Sequence, residues 1–198
     1  MRQQLFKIFL LAFLFNLFGC NSEYTVGKKR GYFKIDFPEK KYQEFDQPGY
    51  PYSFEYPVYS SIVKDTTFFE AAPENPWWIN IDFPQFAARV YMSYKEIGKN
   101  KFDSLVNDAY KLSYKQHTYK ASAIEDSAIA TPNAVHGVYF TLTGNTATAN
   151  QFFLTDSTKH FLRGALYFAA TPNEDSIRIV NDFLRADLFH LINTLKWK

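Results

Sequence analysis

Alternation of hydrophobic and polar residues predicts most of the elements between residues 48 and 169. In residues 88–94, Ala88, Val90 and Met92 alternate with Arg89 and Ser93, which is the pattern of a strand with one buried face. Similar short segments, ended by proline, glycine or a polar turn, predict further strands at residues 53–56, 77–83, 121–129, 138–143, 152–155 and 160–169. The last three predict a three-stranded meander with a turn at residues 156–159.

Helical spacing of hydrophobic residues occurs in two places. Residues 102–112 carry one apolar stripe, and Asn100 is the expected N-cap. Residues 172–195 begin with a polar cap and two acids and continue as a longer stripe, which predicts a helix about 30 Å long. This order of elements predicts an α+β fold: a single domain with an antiparallel β-sheet, a mid-chain helix and a long C-terminal helix packed on it. The same order is similar to the sandwich of PsbP-like extrinsic proteins.

The N-terminus has the pattern of a bacterial lipoprotein signal. Arg2 and Lys7 precede an apolar run over residues 8–18, which is too short to favour a retained transmembrane helix. Leu17 and Gly19 before Cys20 match the lipobox, although Phe18 is bulkier than the usual residue there. We therefore predict that residues 1–19 are removed and that Cys20 carries acyl chains such as palmitate. The alternative is an ordinary secretory signal with a free cysteine.

The rest of the chain divides by composition. Residues 20–47 are mostly polar and predict a lipid-anchored tether with a docking segment, in which Phe33, Ile35 and Phe37 alternate with polar residues. Residues 48–198 are the predicted globular domain. The prediction places this domain in the cell envelope, anchored to a membrane and facing the periplasm.

Charge and cysteine content narrow the function classes. Removal of Arg2 and Lys7 with the signal leaves 20 basic and 20 acidic residues, so the mature chain lacks the positive field that nucleic-acid binding requires. Cys20 is the only cysteine, and its acylation leaves no thiol for a disulfide, a nucleophile or a cysteine metal site. The four histidines are widely spaced, so we predict no metal and no cofactor.

Two groups of residues are candidates for binding partners. Trp77 and Trp78 are consecutive, and on a strand they point to opposite faces, so we expect at most one in a single core. The other either contacts a partner or covers an edge of the sheet. The second group combines serine, histidine and aspartate types around the predicted turn, which also permits a hydrolase hypothesis. Against that hypothesis, there is no Gly-x-Ser-x-Gly motif, and neighbouring strand residues diverge. The candidates in the second group are Asp156, Lys159, His160 and Arg163.

Several segments together resemble one family, the gliding motility lipoprotein GldD family. They are residues 31–42, 78–84, 151–168 and 194–198, with residues 155–164 the most specific. The resemblance implies an envelope lipoprotein needed for gliding in bacteria whose motility adhesins travel through the type IX secretion system. It carries no catalytic residues with it.

Three hypotheses follow, and all share the lipid anchor. The first is a non-enzymatic component or assembly factor of the gliding and secretion machinery that acts through protein contacts. The second is an envelope hydrolase that uses the Asp156 to Arg163 cluster. The third is a lipid- or peptide-binding module with a pocket between sheet and helices.

Overall fold

The computed structural model describes residues 34–66 and 73–198. The predicted signal peptide, Cys20 and Phe33 lie outside this part of the chain. Asp36–Lys198 forms one compact unit. The predicted boundary between tether and domain at residue 48 stays a prediction.

The main layer is a seven-stranded antiparallel sheet in the order β3-β4-β5-β9-β8-β7-β6. Consecutive strands pair as neighbours except where β9 joins β5, so the hairpin β4-β5 and the meander β7-β8-β9 meet at the centre. Its strands are β3 (Ser61–Lys64), β4 (Ile79–Phe83), β5 (Ala88–Glu96), β6 (Ala121–Ala130), β7 (His136–Gly144), β8 (Asn150–Thr155) and β9 (His160–Phe168).

A second, three-stranded sheet forms from distant parts of the chain. Its order is β1 (Tyr42–Phe45), β2 (Tyr52–Pro57) and β10 (Lys196–Trp197). Both neighbours pair with β2 in antiparallel register. The pattern of residues 53–56 predicts β2, whereas β1, β3 and β10 were not predicted because they have only two to four residues each.

Two helices pack on these sheets, as predicted. Helix α1 is Phe102–Tyr114 and helix α2 is Glu174–Thr194. Asn173 caps α2, with its side chain accepting the N–H of Ser176 at 3.2 Å. The expected cap of α1 is wrong: Lys101 holds that position without a side-chain bond, and the Asn100 amide donates to Glu74 Oε1 at 2.8 Å instead.

The strands separate two hydrophobic clusters because alternate side chains project to opposite faces. One face of the large sheet packs with the small sheet and α2 and forms the larger cluster, whose members include Ile81, Val90, Leu162 and Leu188. The other face packs under α1 and forms a smaller cluster around Phe140 and the helix residues Leu105 and Ala109. The predicted α+β class with a mid-chain and a long C-terminal helix is confirmed.

Within residues 34–66 and 73–198, no helix is long and apolar enough to cross a membrane. Helix α2 instead buries an apolar stripe with one acid, Asp187, in the core. The Asp187 carboxylate accepts the hydroxyls of Tyr42 at 3.0 Å and Tyr59 at 2.5 Å and pairs with Lys40. Helix α2 is therefore attached to the start of β1, to Lys40 just before it and to the turn after β2.

Candidate functional site

The predicted turn at residues 156–159 joins β8 to β9 and is organised by Asp156. One carboxylate oxygen, Oδ1, accepts the backbone N–H groups of Thr158, Lys159 and His160 at 3.0, 2.8 and 2.8 Å. Burial opposes ionisation, but these bonds outweigh it and lower the pKa of Asp156 to about 2. Ser157 adopts φ 65°, a conformation that this tight turn requires. The carboxylate thus stabilises the turn.

His160 lies inside the larger hydrophobic cluster. Its side chain is 3% exposed, and Nδ1 is hydrogen-bonded to the Tyr94 hydroxyl at 2.7 Å. The imidazole stacks on Trp197 with the ring centroids 5.0 Å apart. Burial lowers the pKa of His160. The imidazole is therefore hydrogen-bonded to a tyrosine, and within residues 34–66 and 73–198 it forms no hydrogen bond with a serine.

Arg163 lies on the opposite face of β9 from His160, because the two positions differ by an odd number of residues. Its Nη2 donates to Gln151 Oε1 at 2.5 Å on the side of α1. Lys159 is exposed at the turn, and its carbonyl accepts Ile97 N–H at 2.9 Å. The cluster is thus close in sequence but divided between a turn and two faces of a sheet.

The two tryptophans precede β4, which begins at Ile79, so the expected division between opposite faces of a strand is wrong. Trp78 is 7% exposed and belongs to the larger cluster, and half-buried Trp77 packs against the same cluster. Both also contact Tyr94: Trp78 Nε1 donates to its carbonyl at 2.7 Å, and the Trp77 ring meets its ring edge-on at 5.5 Å. A partner role stays a prediction for the two tryptophans and for the four candidates of the turn cluster, Asp156, Lys159, His160 and Arg163.

A groove lies on the α1 side of the large sheet, and sequence reasoning, which proposed a pocket between sheet and helices, did not locate it. It has a volume of about 1140 Å³ and lies over β4, β5 and β9. On its floor are Asn80, Tyr91 and Ala165, which are cross-strand partners in successive ladders, together with Arg163 and Tyr167. The alternation of each strand places these residues on one face, but only the pairing of β5 with β9 brings them together.

The polar groups in and beside the groove differ in whether their hydrogen-bonding atoms have partners. At one end, Arg89 pairs with Asp82 through two bonds of 2.5 and 2.7 Å. Asn80 is 5% exposed, and its Oδ1 has no hydrogen-bond partner in the part of the chain that the structure describes. Gln151, which holds Arg163, is fully buried and leaves its Nε2 unpartnered by the same residues. Buried polar atoms without partners are uncommon, so Asn80, which lines the groove, is a candidate for ligand contact.

The electrostatics of the groove centre on Arg163. None of the ion pairs formed within residues 34–66 and 73–198 includes its guanidinium. Burial lowers the pKa of Arg163. Nearby His117 is buried, and its pKa is lowered by burial and by the positive charges of Arg163 and Lys120. The groove therefore presents a partly desolvated cation with spare donors.

Comparison with known families gives the context for this geometry. The family model of the gliding motility lipoprotein GldD matches residues 22–197. The chain belongs to this family. It is a gliding motility lipoprotein, and membership implies association with a membrane of the cell envelope. The resemblance predicted from the sequence is confirmed.

Comparisons with individual proteins are more distant. A solved structure of cyanobacterial PsbP (CyanoP) from Synechocystis sp. PCC 6803 is similar, with 10% identity and a TM-score of 0.43. That similarity covers 84% of this chain and 98% of the other. Among curated proteins, none matches the chain.

Proposed function

We propose that this lipoprotein acts non-enzymatically, as a component or assembly factor of the gliding and type IX secretion machinery, through protein contacts in the periplasm. The observation that carries the proposal is the family match over residues 22–197. The arrangement of the turn supports it, because Asp156 is engaged by backbone N–H groups and His160 by Tyr94. Neither group is placed as the base or orienter of a nucleophile.

Genetic and crosslinking experiments test this proposal. A deletion strain is expected to lose gliding and secretion of motility adhesins, and normal behaviour in both assays would refute it. A photoreactive residue at exposed Lys159 or half-buried Trp77 is expected to capture motility or secretion subunits in cells. The matched control is the same residue at exposed Arg178 on α2, which lies away from both positions in sequence.

A hydrolase remains the second candidate because serine, histidine and aspartate occur together between Asp156 and His160. A strain with His160→Ala at normal protein level separates the two functions. The non-enzymatic proposal expects gliding to follow the amount of folded protein. Complete loss of gliding with unchanged stability and abundance would favour the enzyme.

A further inference from the structure

The groove on the α1 side of the sheet has the properties of a binding site, and the register of its strands fixes the spacing of its polar groups. Asn80 pairs with Tyr91, and Tyr91 pairs with Ala165, two residues from Arg163 along β9. Asn80 and Arg163 are therefore about 10 Å apart across the sheet and about 7 Å along it. A ligand that contacts both groups must be extended.

Arg163 indicates the charge of the ligand. A guanidinium carries five N–H donors, and within the described residues the Gln151 Oε1 is its hydrogen-bond acceptor. Most other cations among the described residues either pair with a carboxylate or are exposed to solvent. Arg89, in the same groove, is an example of the first kind because it pairs with Asp82. Buried charges are normally paired, and the planar fork of arginine matches a carboxylate with two parallel bonds. The group that would best complement Arg163 in this groove is therefore an anion.

Asn80 adds a second requirement. Its Oδ1 is an acceptor without a donor among residues 34–66 and 73–198, although the residue is 5% exposed and lines the groove. A matching ligand must offer an N–H or O–H group at a distance from its anion. A peptide has both a carboxylate and backbone N–H groups, whereas a fatty acid has the carboxylate alone.

We propose that this groove binds an extended peptide segment of a partner protein, with a carboxylate on Arg163 and a backbone N–H on Asn80. Tyr91 and Tyr167 lie on the floor near the two polar groups and supply apolar contact with hydroxyl tips. The carboxylate is either a chain terminus or an Asp or Glu side chain, since the chemistry is the same. This inference rests on the proposed function and names the chemistry of its partner.

The test uses the full lipidated protein, purified in a neutral detergent. Three pools of N-acetylated hexapeptides are offered separately: one with a free terminal carboxylate, its C-terminal amide twin, and an amide pool with one internal Glu. Retained peptides are identified by mass spectrometry, and the affinities of individual hits are then measured. We expect at least tenfold tighter binding of peptides with a carboxylate, and the pool that is retained identifies its source.

Variants of the groove locate the contact. Arg163→Met is expected to abolish the preference for the carboxylate, and Arg163→Lys to retain part of it because the charge remains. Arg178→Gln removes the same charge from exposed helix surface and is expected to leave binding unchanged. Asn80→Leu removes the acceptor for the ligand N–H and is expected to weaken binding at least fivefold, and it serves if Arg163→Met does not fold.

Several results would overturn the inference. They are equal retention of acid and amide pools, an unchanged preference for the carboxylate in Arg163→Met, unchanged affinity in Asn80→Leu, and binding of palmitate with no binding of peptides. A strain with Arg163→Met or Asn80→Leu at normal protein level distinguishes the two proposals. Lost peptide binding with normal gliding would refute a role for the groove while leaving the proposed function intact. If gliding is lost in the deletion strain but not in these variants, the proposed function stands and a role of the groove in gliding is refuted.

Discussion

The ammonium of Lys40 lies 2.7 Å from the carboxylate of Asp187, and the Asp187 side chain is 1% exposed. The two residues are far apart in sequence, and the same ammonium lies 3.4 Å from the centre of the Phe183 ring. Burial, followed by hydrogen bonding to Asp187, raises the pKa of Tyr42 to about 12, so its hydroxyl stays a donor. The segment before β1 is therefore attached to α2 by a buried polar network and not by hydrophobic contact alone.

Replacement of Asp187 by Asn is the first test of this network. It leaves Lys40 without its counter-ion and weakens two tyrosine hydrogen bonds, so we expect a loss of about 2–4 kcal/mol in the free energy of unfolding. Urea denaturation measures this loss. The control is Asp182→Asn on the exposed side of the same helix, with an expected change within about 0.5 kcal/mol. Equal effects of the two substitutions would contradict the role of the network.

Asp156 predicts a specific acid sensitivity. Its pKa is lowered from 3.8 to about 2, so its folded form holds a proton less tightly than its unfolded form. Its stabilising effect is therefore present above pH 4 and is lost as the pH falls toward 2. Asp156→Asn should be less stable than the wild type at pH 7, and the difference should shrink between pH 4 and pH 2. A difference that stays constant over this range would show that the turn does not depend on the charge.

His160 predicts the response nearer neutral pH. Its folded pKa is lowered below 6.5 by burial, so the unfolded chain takes up the proton first and stability falls as the pH drops below about 6.5. The double variant His160→Phe with Tyr94→Phe keeps a ring on Trp197 and removes the titrating group together with its partner hydroxyl. We expect a shallower fall in the free energy of unfolding between pH 7 and pH 5. Tyr94→Phe alone is the control and should keep the steeper fall. Part of the fall in stability persists in both variants, because the pKa of His117 is also lowered.

Gly164 has a role in packing that a cross-strand cycle can measure. A Cβ at this position would lie 2.2 Å from Cζ of Phe152, which is 1% exposed on the paired strand β8. Gly164→Ala should therefore cost about 1–3 kcal/mol by overpacking. Phe152→Leu makes room, so the double variant should be more stable than the sum of the single effects indicates. Simple additivity would mean that the two residues do not compete for the same space.

The lipid anchor is tested at Cys20. We predict that Cys20→Ala releases or mislocalises the protein, because the acyl chains supply stable membrane attachment. Fractionation of cells and metabolic labelling with a palmitate analogue measure the two consequences. Unlabelled wild-type protein, or a Cys20→Ala variant that still extracts with membranes, would show that another feature anchors the chain.

Local sequence patterns were sufficient to predict the helices and strands whose hydrophobic periodicity and end signals lie within one segment. Helix α2 was predicted because its apolar stripe and its polar cap at Asn173 are contained in one segment. The burial of Asp187 was not predicted, because the sequence shows the acid but not Lys40, Tyr42 and Tyr59, which reach it from another part of the chain.

The position and lining of the groove could not be predicted for a related reason. Alternation along β9 places Arg163, Ala165 and Tyr167 on one face, and alternation along β4 places Asn80 and Asp82 together. Which strands become neighbours depends on the pairing of Ala88–Glu96 with His160–Phe168, and no local signal specifies that choice. The Asp156 to Arg163 cluster shows the opposite case, in which nearness in sequence does not produce one site.

The pairing of Ser53 with Lys196 in the small sheet has a consequence for how the protein folds. Strand β2 is flanked by one neighbour that is close in sequence and one that is separated by nearly the whole domain. Closing so long a loop has an entropic cost before any contact compensates for it, and a high contact order slows folding. We therefore expect late, slow completion of this sheet, during which β2 exposes an unpaired edge to the chaperones that receive an exported chain.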